Sequence, residues 1–373
     1  MKLFACQSCG QALYFENTAC HSCGRTLGFL PEAGVLSALE TDDGRYRTLA
    51  EPEHRYRACA NAAYGSCNWM IRIDDSNIFC LACRHNRTIP NLSDPGNLGR
   101  WRKIEIAKHR LFYTLLNLHL PLATKAEDDA GLAFDFLSDP AEPSPDAAAV
   151  MTGHLNGLIT INLAEADDAE RERRRGNMNE PYRTLLGHFR HEIGHYYWDR
   201  LVRHRAAIDE FRDLFGDERQ DYGAALRRHH QDGPPLDWPE RYISAYASAH
   251  PWEDFAESWA HYFHMIDTLE TARAFGLNLH PGDAGRANLS AAIDFDPHVA
   301  DIDRLIDAWL PLTFAINSIN RSMGQPDLYP FVLVPAVIVK LAFIHRCIHW
   351  ADGAAEGALR AIAAGLKRNI GAR

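Results

Sequence analysis

The sequence predicts an α+β protein in which small cysteine-rich modules precede a mainly α-helical domain with a small β-sheet. Eight of the nine cysteines fall in the first quarter of the 373 residues. Beyond them, a β-hairpin signal is followed by a series of segments with helical spacing of apolar residues. The hydrophobic fraction of 46% is ordinary for a folded globular protein. We therefore expect ordered cores in both parts of the chain.

The first four cysteines form two C-x2-C pairs, each followed by a glycine. Each pair is typical of a tight knuckle, and two knuckles close a tetrahedral four-thiolate zinc site. The alternative, unliganded core thiols, fits this spacing poorly. The sequence therefore predicts a zinc ribbon over residues 1–30, and its zinc ligands are Cys6, Cys9, Cys20 and Cys23.

The next four cysteines are less regularly spaced, and the β-prone segment WMIRI lies between the first two and the last two of them. They predict a second zinc-ribbon-like module over residues 31–95, with the ligands Cys59, Cys67, Cys80 and Cys83. Closed four-thiolate sites fold small modules and leave no position for water, so both zinc ions are expected to be structural. We interpret His21 and His85, which lie beside the cysteines, as bystanders.

Residues 91–100 are rich in Asn, Pro and Gly and predict a linker, which places a third domain at residues 96–373. In this domain LAFDFL predicts a strand, and Asn156-Gly157 between two β-prone runs predicts a hairpin, because the tight turn needs positive φ at both positions. Its ITIN strand could pair with an extended peptide, or be an ordinary sheet strand. Helices are expected over residues 101–122, 181–203, 206–230, 252–275, 299–321 and 330–350.

The segment HEIGH places His191 and His195 one helical turn apart on the same face, so both imidazoles can bind one metal ion. Glu192 lies near that face. As in metallopeptidases with this motif, it can take a proton from metal-bound water and deliver it to the leaving amine. Because the motif has only three fixed positions, ordinary histidines on a helix are the alternative, and a third ligand from elsewhere is needed.

That ligand is expected on the apolar, aromatic-rich helix that contains YASAHPWEDFAE. Carboxylates on such a helix require a partner, because burying them unpaired is costly. We predict that Glu253 binds zinc and that Glu257 accepts the free N–H of a ligand histidine. Asp254 and Glu257 are the rival third ligands.

The pair HEIGH and YASAHPWEDFAE resembles the gluzincin pattern, and the whole chain resembles a bacterial family of zinc-binding metallopeptidases with an N-terminal zinc ribbon. The resemblance implies a zincin-like fold, one catalytic zinc beside the two structural ones, and Tyr246 as the phenol that stabilises the oxyanion. Other candidates for that role or for binding substrate are His250, His261, Tyr262 and His264.

The leading hypothesis is therefore a zinc-dependent peptidase acting on a peptide or protein, with ribbons that dock the substrate or a partner. The alternatives are a nucleic-acid-associated protease and a non-enzymatic zinc-ribbon adaptor. A net charge of -10 argues against a nucleic-acid partner. A cysteine after five residues leaves no room for a secretory signal, which favours the cytoplasm. The longest apolar stretch, residues 330–344, is too short to span a membrane. The oligomeric state is left open.

Overall fold

The computed structural model describes residues 2–139, 150–177, 182–282 and 289–349. The N-terminal ribbon contains strands β1 (Phe4–Ala5) and β2 (Ala12–Leu13), which pair antiparallel. The glycine that follows each C-x2-C pair has positive φ, 75° at Gly10 and 72° at Gly24. Because glycine has no β-carbon and adopts this conformation at no steric cost, these two residues allow the knuckles to close.

A five-stranded antiparallel sheet follows, with its strands in chain order. Its first strand, β3, pairs with β4 and so continues the sheet across the predicted division at residue 30. The division into units ending at residues 30 and 95 stays a prediction. The strands are β3 (Leu27–Leu30), β4 (Val35–Asp42), β5 (Arg45–Thr48), β6 (Arg55–Ala58) and β7 (Met70–Arg72).

A second sheet of four strands has the order β10-β11-β9-β8. It comprises β8 (Asn86–Thr88), β9 (Ala133–Leu137), β10 (Gly153–Leu155) and β11 (Leu158–Asn162). The predicted hairpin is confirmed, with φ of 48° at Asn156 and 79° at Gly157. The ITIN strand, β11, pairs with β10 on one side and β9 on the other. The hypothesis that it binds a peptide is therefore wrong, because neither of its edges is free.

Helices form most of the remaining described chain. They are α1 (Pro95–Asn117), α2 (Asp168–Asn177), α3 (Leu185–Leu201), α4 (Ile208–Phe215), α5 (Tyr222–Asp232), α6 (Pro251–Ala274) and α7 (Ile302–Ser322). Residues 335–349 are also helical and are called α8. A short pair, β12 (Asn278–Leu279) and β13 (Ala291–Ala292), precedes α7. The predicted α+β class, with ribbon modules ahead of a mainly helical domain, is confirmed.

Three sequence predictions about these elements were wrong in part. The predicted linker over residues 91–100 already contains the start of α1, because Asp94 caps the helix and Pro95 occupies its first turn, where the missing N–H costs nothing. The helix expected over 206–230 is broken after α4 at Gly216, whose φ is 104°. The helix expected over 330–350 begins only at residue 335, because residues 330–334 are not helical. The expected helix ends at residues 181 and 350 lie outside the described residues.

The N-terminal modules pack against α1 through aromatic side chains. Phe15 contacts Tyr113 with ring centroids 5.5 Å apart, and Phe29 contacts Trp69 at 4.9 Å. These rings belong to one continuous hydrophobic core that extends into the helical domain. Helix α1 in turn packs on α3, so it lies between the ribbon modules and the helix of the HEIGH motif. None of the described helices is both long and apolar enough to cross a membrane.

Candidate metal centres

The first centre begins on α3, which Thr184 caps by accepting a hydrogen bond from the Gly187 N–H. One turn apart, His191 and His195 direct their Nε2 atoms toward each other at 3.2 Å. Two nitrogen ligands bound to one tetrahedral zinc at 2.0–2.1 Å would lie roughly 3.3 Å apart. The helix therefore brings both imidazoles to the spacing that a shared metal ion requires.

The third donor comes from α6. His250 caps this helix and Pro251 occupies its first turn, so Glu253 projects from the N-terminal end toward α3. Its Oε2 lies 3.0 Å from the Nε2 of His191, and its Oε1 lies 3.6 Å from the Nε2 of His195. The three donor atoms lie within 4.8 Å of one another. The structure thus brings together the residues predicted as the catalytic metal ligands.

The donor set fits zinc. Glu253 is 1% exposed, and its Oε2 has no hydrogen-bond partner among the described residues. When the Nδ1 of neutral His191 donates to Glu257, its Nε2 has no proton to give to this oxygen. A buried carboxylate oxygen that faces a lone pair is unfavourable, and a cation between the three donors would remove that cost. Two imidazoles and one carboxylate form a known zinc ligand set that leaves a fourth position open.

Glu257 and Asp254 take different partners, although both were rival third ligands in the sequence. The Oε1 of Glu257 lies 2.8 Å from the Nδ1 of His191, and its Oε2 accepts a hydrogen bond from Ser244 at 2.6 Å. Asp254 is fully buried and pairs with Lys340 of α8 at 2.6 Å. Glu257 therefore has the contact expected for orienting His191, and Asp254 has a structural partner instead.

Glu192 is 8% exposed and follows His191 on α3. Burial raises the pKa of its carboxyl group above the usual range of glutamate. For Glu257, burial favours the neutral form, but the neighbouring His191 lowers the pKa to about 2. The two carboxyl groups are thus differentiated by their surroundings: Glu192 is the stronger base, and Glu257 stays ionised beside an imidazole.

Two phenols border the centre. The ring of Tyr246, which lies in a short 3-10 turn before α6, has its centroid 6.0 Å from that of His191. Tyr222, the first residue of α5, donates a hydrogen bond from its hydroxyl to the Oε1 of Glu253 at 2.7 Å. Sequence reasoning missed Tyr222, because 31 residues separate it from Glu253 and no spacing pattern connects them.

The remaining candidates for oxyanion or substrate binding have other partners. The Nδ1 of His250 accepts a hydrogen bond from the backbone N–H of Trp252 at the start of α6. The Nδ1 of His261 lies 2.8 Å from the hydroxyl of Tyr329, and the hydroxyl of Tyr262 lies 2.9 Å from the Nδ1 of His345. The Nδ1 of His264 lies 2.5 Å from Arg190. Each of these four side chains therefore has a partner within the protein.

The two cysteine groups each bring four sulfur atoms within 4.8 Å of one another. In the first group, sulfur to sulfur distances are 3.7 Å for Cys6 and Cys23 and 3.6 Å for Cys9 and Cys20. The edge of a tetrahedron with Zn–S bonds of 2.3 Å is roughly 3.8 Å. Both groups therefore fit tetrahedral zinc. The second group consists of Cys59, Cys67, Cys80 and Cys83, all of them buried.

Two histidines lie near the second group, and they differ in what they contact. Both ring nitrogens of His85 lie 3.0 Å from backbone carbonyl oxygens, those of Leu81 and Leu122, as expected of a bystander. The Nε2 of His109, on α1, instead lies 3.3 Å from the sulfur of Cys67. Sequence reasoning missed His109, which is 42 residues from Cys67 and belongs to no metal-binding motif.

The donor sets of these three centres define a zinc-binding protein, and comparison with known families agrees. Residues 97–347 match the family described as "Putative zinc-binding metallo-peptidase", and residues 3–94 match a zinc-ribbon domain. The first match covers more than half of the chain. The chain belongs to this zinc-binding metallopeptidase family.

Among its relatives are the uncharacterized proteins Rv2568c of Mycobacterium tuberculosis and Mb2598c of Mycobacterium bovis. Each is 42% identical over 350 residues, which cover 93% of this chain and 95% of the relative. The similarity therefore extends over the ribbon modules and the helical domain together. No solved structure matches the chain significantly.

Proposed function

We propose that the protein is a zinc-dependent peptidase that hydrolyses amide bonds at the centre formed by His191, His195 and Glu253. The observation that carries this proposal is the convergence of these donors from α3 and α6, with Glu257 on the Nδ1 of His191. A structural helix pair has no need for two imidazoles and a buried carboxylate at one point. Two imidazoles and one carboxylate are one of the ligand sets of catalytic zinc, and Glu192 lies next to His191 on α3 as a candidate base.

Zinc held by these three side chains would supply a Lewis acid that polarises water and the scissile carbonyl. The protein's own residues prepare the donors. Glu257 accepts a hydrogen bond from the Nδ1–H of His191, which fixes the tautomer so that Nε2 presents its lone pair. Tyr222 holds one oxygen of Glu253 by a hydrogen bond, which leaves the other oxygen directed at His191.

Glu192 is the proposed general base and acid. Its carboxylate takes a proton from water as the water oxygen bonds to the carbonyl carbon, and it then gives that proton to the amine as the C–N bond breaks. The products are a carboxylic acid and an amine. Burial, which raises the pKa of Glu192, strengthens it as a base for the first of these two transfers.

Tyr246 is the proposed donor to the oxygen that becomes negative when water adds to the carbonyl carbon. Burial raises the pKa of its hydroxyl well above the ordinary value, so the phenol keeps its proton at neutral pH and can donate it in a hydrogen bond. Tyr222 is 37% exposed at the same centre and is the second candidate for this role. Its hydrogen bond to Glu253 favours a role in holding the ligand instead.

The two cysteine sites are proposed to hold structural zinc, giving three zinc ions per chain with the catalytic one. A closed set of thiolates leaves no position for a substrate, so the ribbon modules would fold around their metal and dock a protein substrate or partner. We also propose a cytoplasmic location, because free thiols that bind metal persist in a reducing compartment. Cell fractionation would test the location.

The decisive experiment is a peptide-library cleavage assay that compares the native chain with Glu192→Gln, with zinc counted in both. The substitution keeps the shape of the side chain and removes the base, so cleavage should fall by about 10²- to 10⁴-fold while zinc is retained. Equal cleavage by both proteins would reject the mechanism. Full zinc occupancy without cleavage by the native chain would favour a zinc-ribbon adaptor, and a salt-dependent complex with DNA would favour a nucleic-acid-associated protease.

A further inference from the structure

The second cysteine site has a fifth potential donor, which the first site lacks. The Nε2 of His109 lies 3.3 Å from the sulfur of Cys67, 3.9 Å from that of Cys80 and 3.7 Å from that of Cys83. His109 is 4% exposed and belongs to α1, outside the ribbon modules. In the described part of the chain, no imidazole joins the four sulfurs of the first site.

The hydrogen bonding of His109 leaves its Nε2 available. The Nδ1 lies 2.6 Å from the backbone carbonyl oxygen of Glu105, one turn earlier on α1. A carbonyl oxygen only accepts hydrogen bonds, so Nδ1 carries the proton. In the neutral imidazole, Nε2 then holds a lone pair directed at the sulfurs. A backbone carbonyl on the other ring nitrogen is also the usual companion of a metal-binding histidine.

The distances fit a tetrahedral set that includes His109. With Zn–S bonds of about 2.3 Å and a Zn–N bond of about 2.0 Å, nitrogen and sulfur ligands lie roughly 3.5 Å apart. The three distances from His109, between 3.3 and 3.9 Å, lie on both sides of this value. Cys67 and Cys80 have their sulfurs 3.7 Å apart, as two thiolates on one zinc do. His109 therefore faces the sulfurs of Cys67, Cys80 and Cys83. The same three sulfurs and that of Cys59 form the four-thiolate set.

Charge also favours an imidazole at this site. Four thiolates around Zn²⁺ leave a net charge of roughly -2 in the interior, whereas three thiolates and one imidazole leave roughly -1. The sulfur of Cys83 already lies 3.5 Å from the Oε2 of Glu105, which is fully buried. Lys108 is also fully buried and pairs with Glu105 at 2.9 Å. Its ammonium therefore compensates the charge of this carboxylate as well as that of the thiolates. Replacing one thiolate by a neutral imidazole lessens the buried negative charge, provided that the released sulfur takes up a proton.

We propose that the second cysteine site is a five-donor zinc site. Cys67, Cys80 and Cys83 are its constant ligands, and Cys59 and His109 are alternative fourth ligands. When the Cys59 sulfur takes up a proton and leaves the ion as a neutral thiol, or is removed by substitution, the Nε2 lone pair of His109 takes its place and the ion is retained. His109 lies on α1, and α1 packs on α3, the helix of the HEIGH motif. The exchange would therefore attach the metal of the second cysteine site to α1. The proposal concerns metal binding and holds whether or not the chain hydrolyses peptides.

The test compares zinc content in four full-length proteins after dialysis against a weak chelator: the native chain, Cys59→Ala, the double variant Cys59→Ala with His109→Ala, and Cys6→Ala. Cys6 is the matched control, because it is buried to the same extent as Cys59, at 2% exposed, and lies in the site without a fifth donor. Cys59→Ala should keep the native number of zinc ions. The double variant and Cys6→Ala should each contain one fewer.

Two results would overturn the proposal. One is loss of a zinc ion from Cys59→Ala itself, whether by release from a folded protein or through failure to fold. The other is retention of the native number by the double variant, which would show that His109 is not the replacement. The zinc content of each variant is compared with that of the native chain. An empty HEIGH centre would lower all four zinc contents equally, so the differences between them would still test the proposal.

Discussion

Gly194, the fourth residue of the HEIGH motif, lies so close to Ala256 that a β-carbon on the glycine would be 3.0 Å from the α-carbon of the alanine. The contact is between helices α3 and α6. These two helices carry His191 and Glu253, so the distance between their axes sets the distance between the metal donors. Gly194 therefore allows the two helices to approach closely enough for the donors to meet, although it contributes no donor atom itself.

The first prediction concerns this contact. Gly194→Ala should push α3 away from α6, lower the free energy of unfolding by about 1–3 kcal/mol through overpacking, and weaken zinc binding at the centre. Chelator competition and chemical denaturation would measure the two effects. The matched control is Gly99→Ala on α1, where a β-carbon meets nothing within 4 Å. That change should be neutral or stabilising by up to about 1 kcal/mol. Similar behaviour of both variants would contradict this role for Gly194.

The second prediction separates the two phenols. Tyr246→Phe should lower kcat by about 10²- to 10³-fold with zinc affinity unchanged, because it removes a donor to the oxyanion. Tyr222→Phe should instead weaken zinc binding by about 10- to 100-fold, because the hydroxyl holds Glu253. Steady-state kinetics and chelator competition on both variants distinguish the roles. A reduced kcat with unchanged zinc affinity in Tyr222→Phe would contradict this prediction and make Tyr222 the donor to the oxyanion.

The third prediction concerns Asp254, the neighbour of Glu253. Lys340→Met should destabilise the protein by about 3–5 kcal/mol, because it leaves a fully buried carboxylate without its cation. Adding Asp254→Asn should recover part of this loss in denaturation experiments. The double variant should also keep its zinc at the HEIGH centre, since Asp254 pairs with Lys340 and is no ligand. Loss of that zinc from the double variant would restore Asp254 as the third ligand.

The fourth prediction concerns stability toward acid. Burial lowers the pKa of His261 to about 4, whereas an unfolded histidine has a pKa of about 6.5. Between these values the unfolded chain binds a proton that the folded chain does not. The contribution of neutral His261 is therefore fully present above pH 6.5 and is lost as the pH falls toward 4.

In His261→Phe this titration is absent, and the new ring can pack on Phe331, whose centroid lies 4.3 Å from that of His261. When the pH is lowered from 7.5 to 5, the free energy of unfolding should decrease in both proteins. The decrease should be smaller in the variant by roughly 1–2 kcal/mol. Denaturant titrations at both pH values would measure the difference. His21→Gln, at an exposed position, is the control and should behave as the native chain does. An unchanged pH dependence in His261→Phe would refute the assignment.

Features that depend on local spacing could be predicted from the amino-acid sequence. Two C-x2-C pairs with glycines fix two knuckles, Asn156-Gly157 fixes a turn with positive φ, and HEIGH fixes two imidazoles on one face of a helix. In each case neighbouring residues and the backbone geometry suffice. The expectation that Glu253 approaches the histidines came from carboxylate spacing on an apolar helix, and the structure places it 3.0 Å from His191.

Several of the side chains that complete these centres became known only from the packing of the helices and modules. It directs Asp254 to Lys340 and brings Tyr222 to Glu253. The sequence predicted that Glu257 contacts a ligand histidine, and the packing of α3 on α6 decides that this histidine is His191. It also places His109 against the second cysteine site. These contacts join residues on different helices or modules, and they depend on how the elements pack against one another. Periodicity reports which face of a helix is buried, but it does not report which distant side chain that face meets.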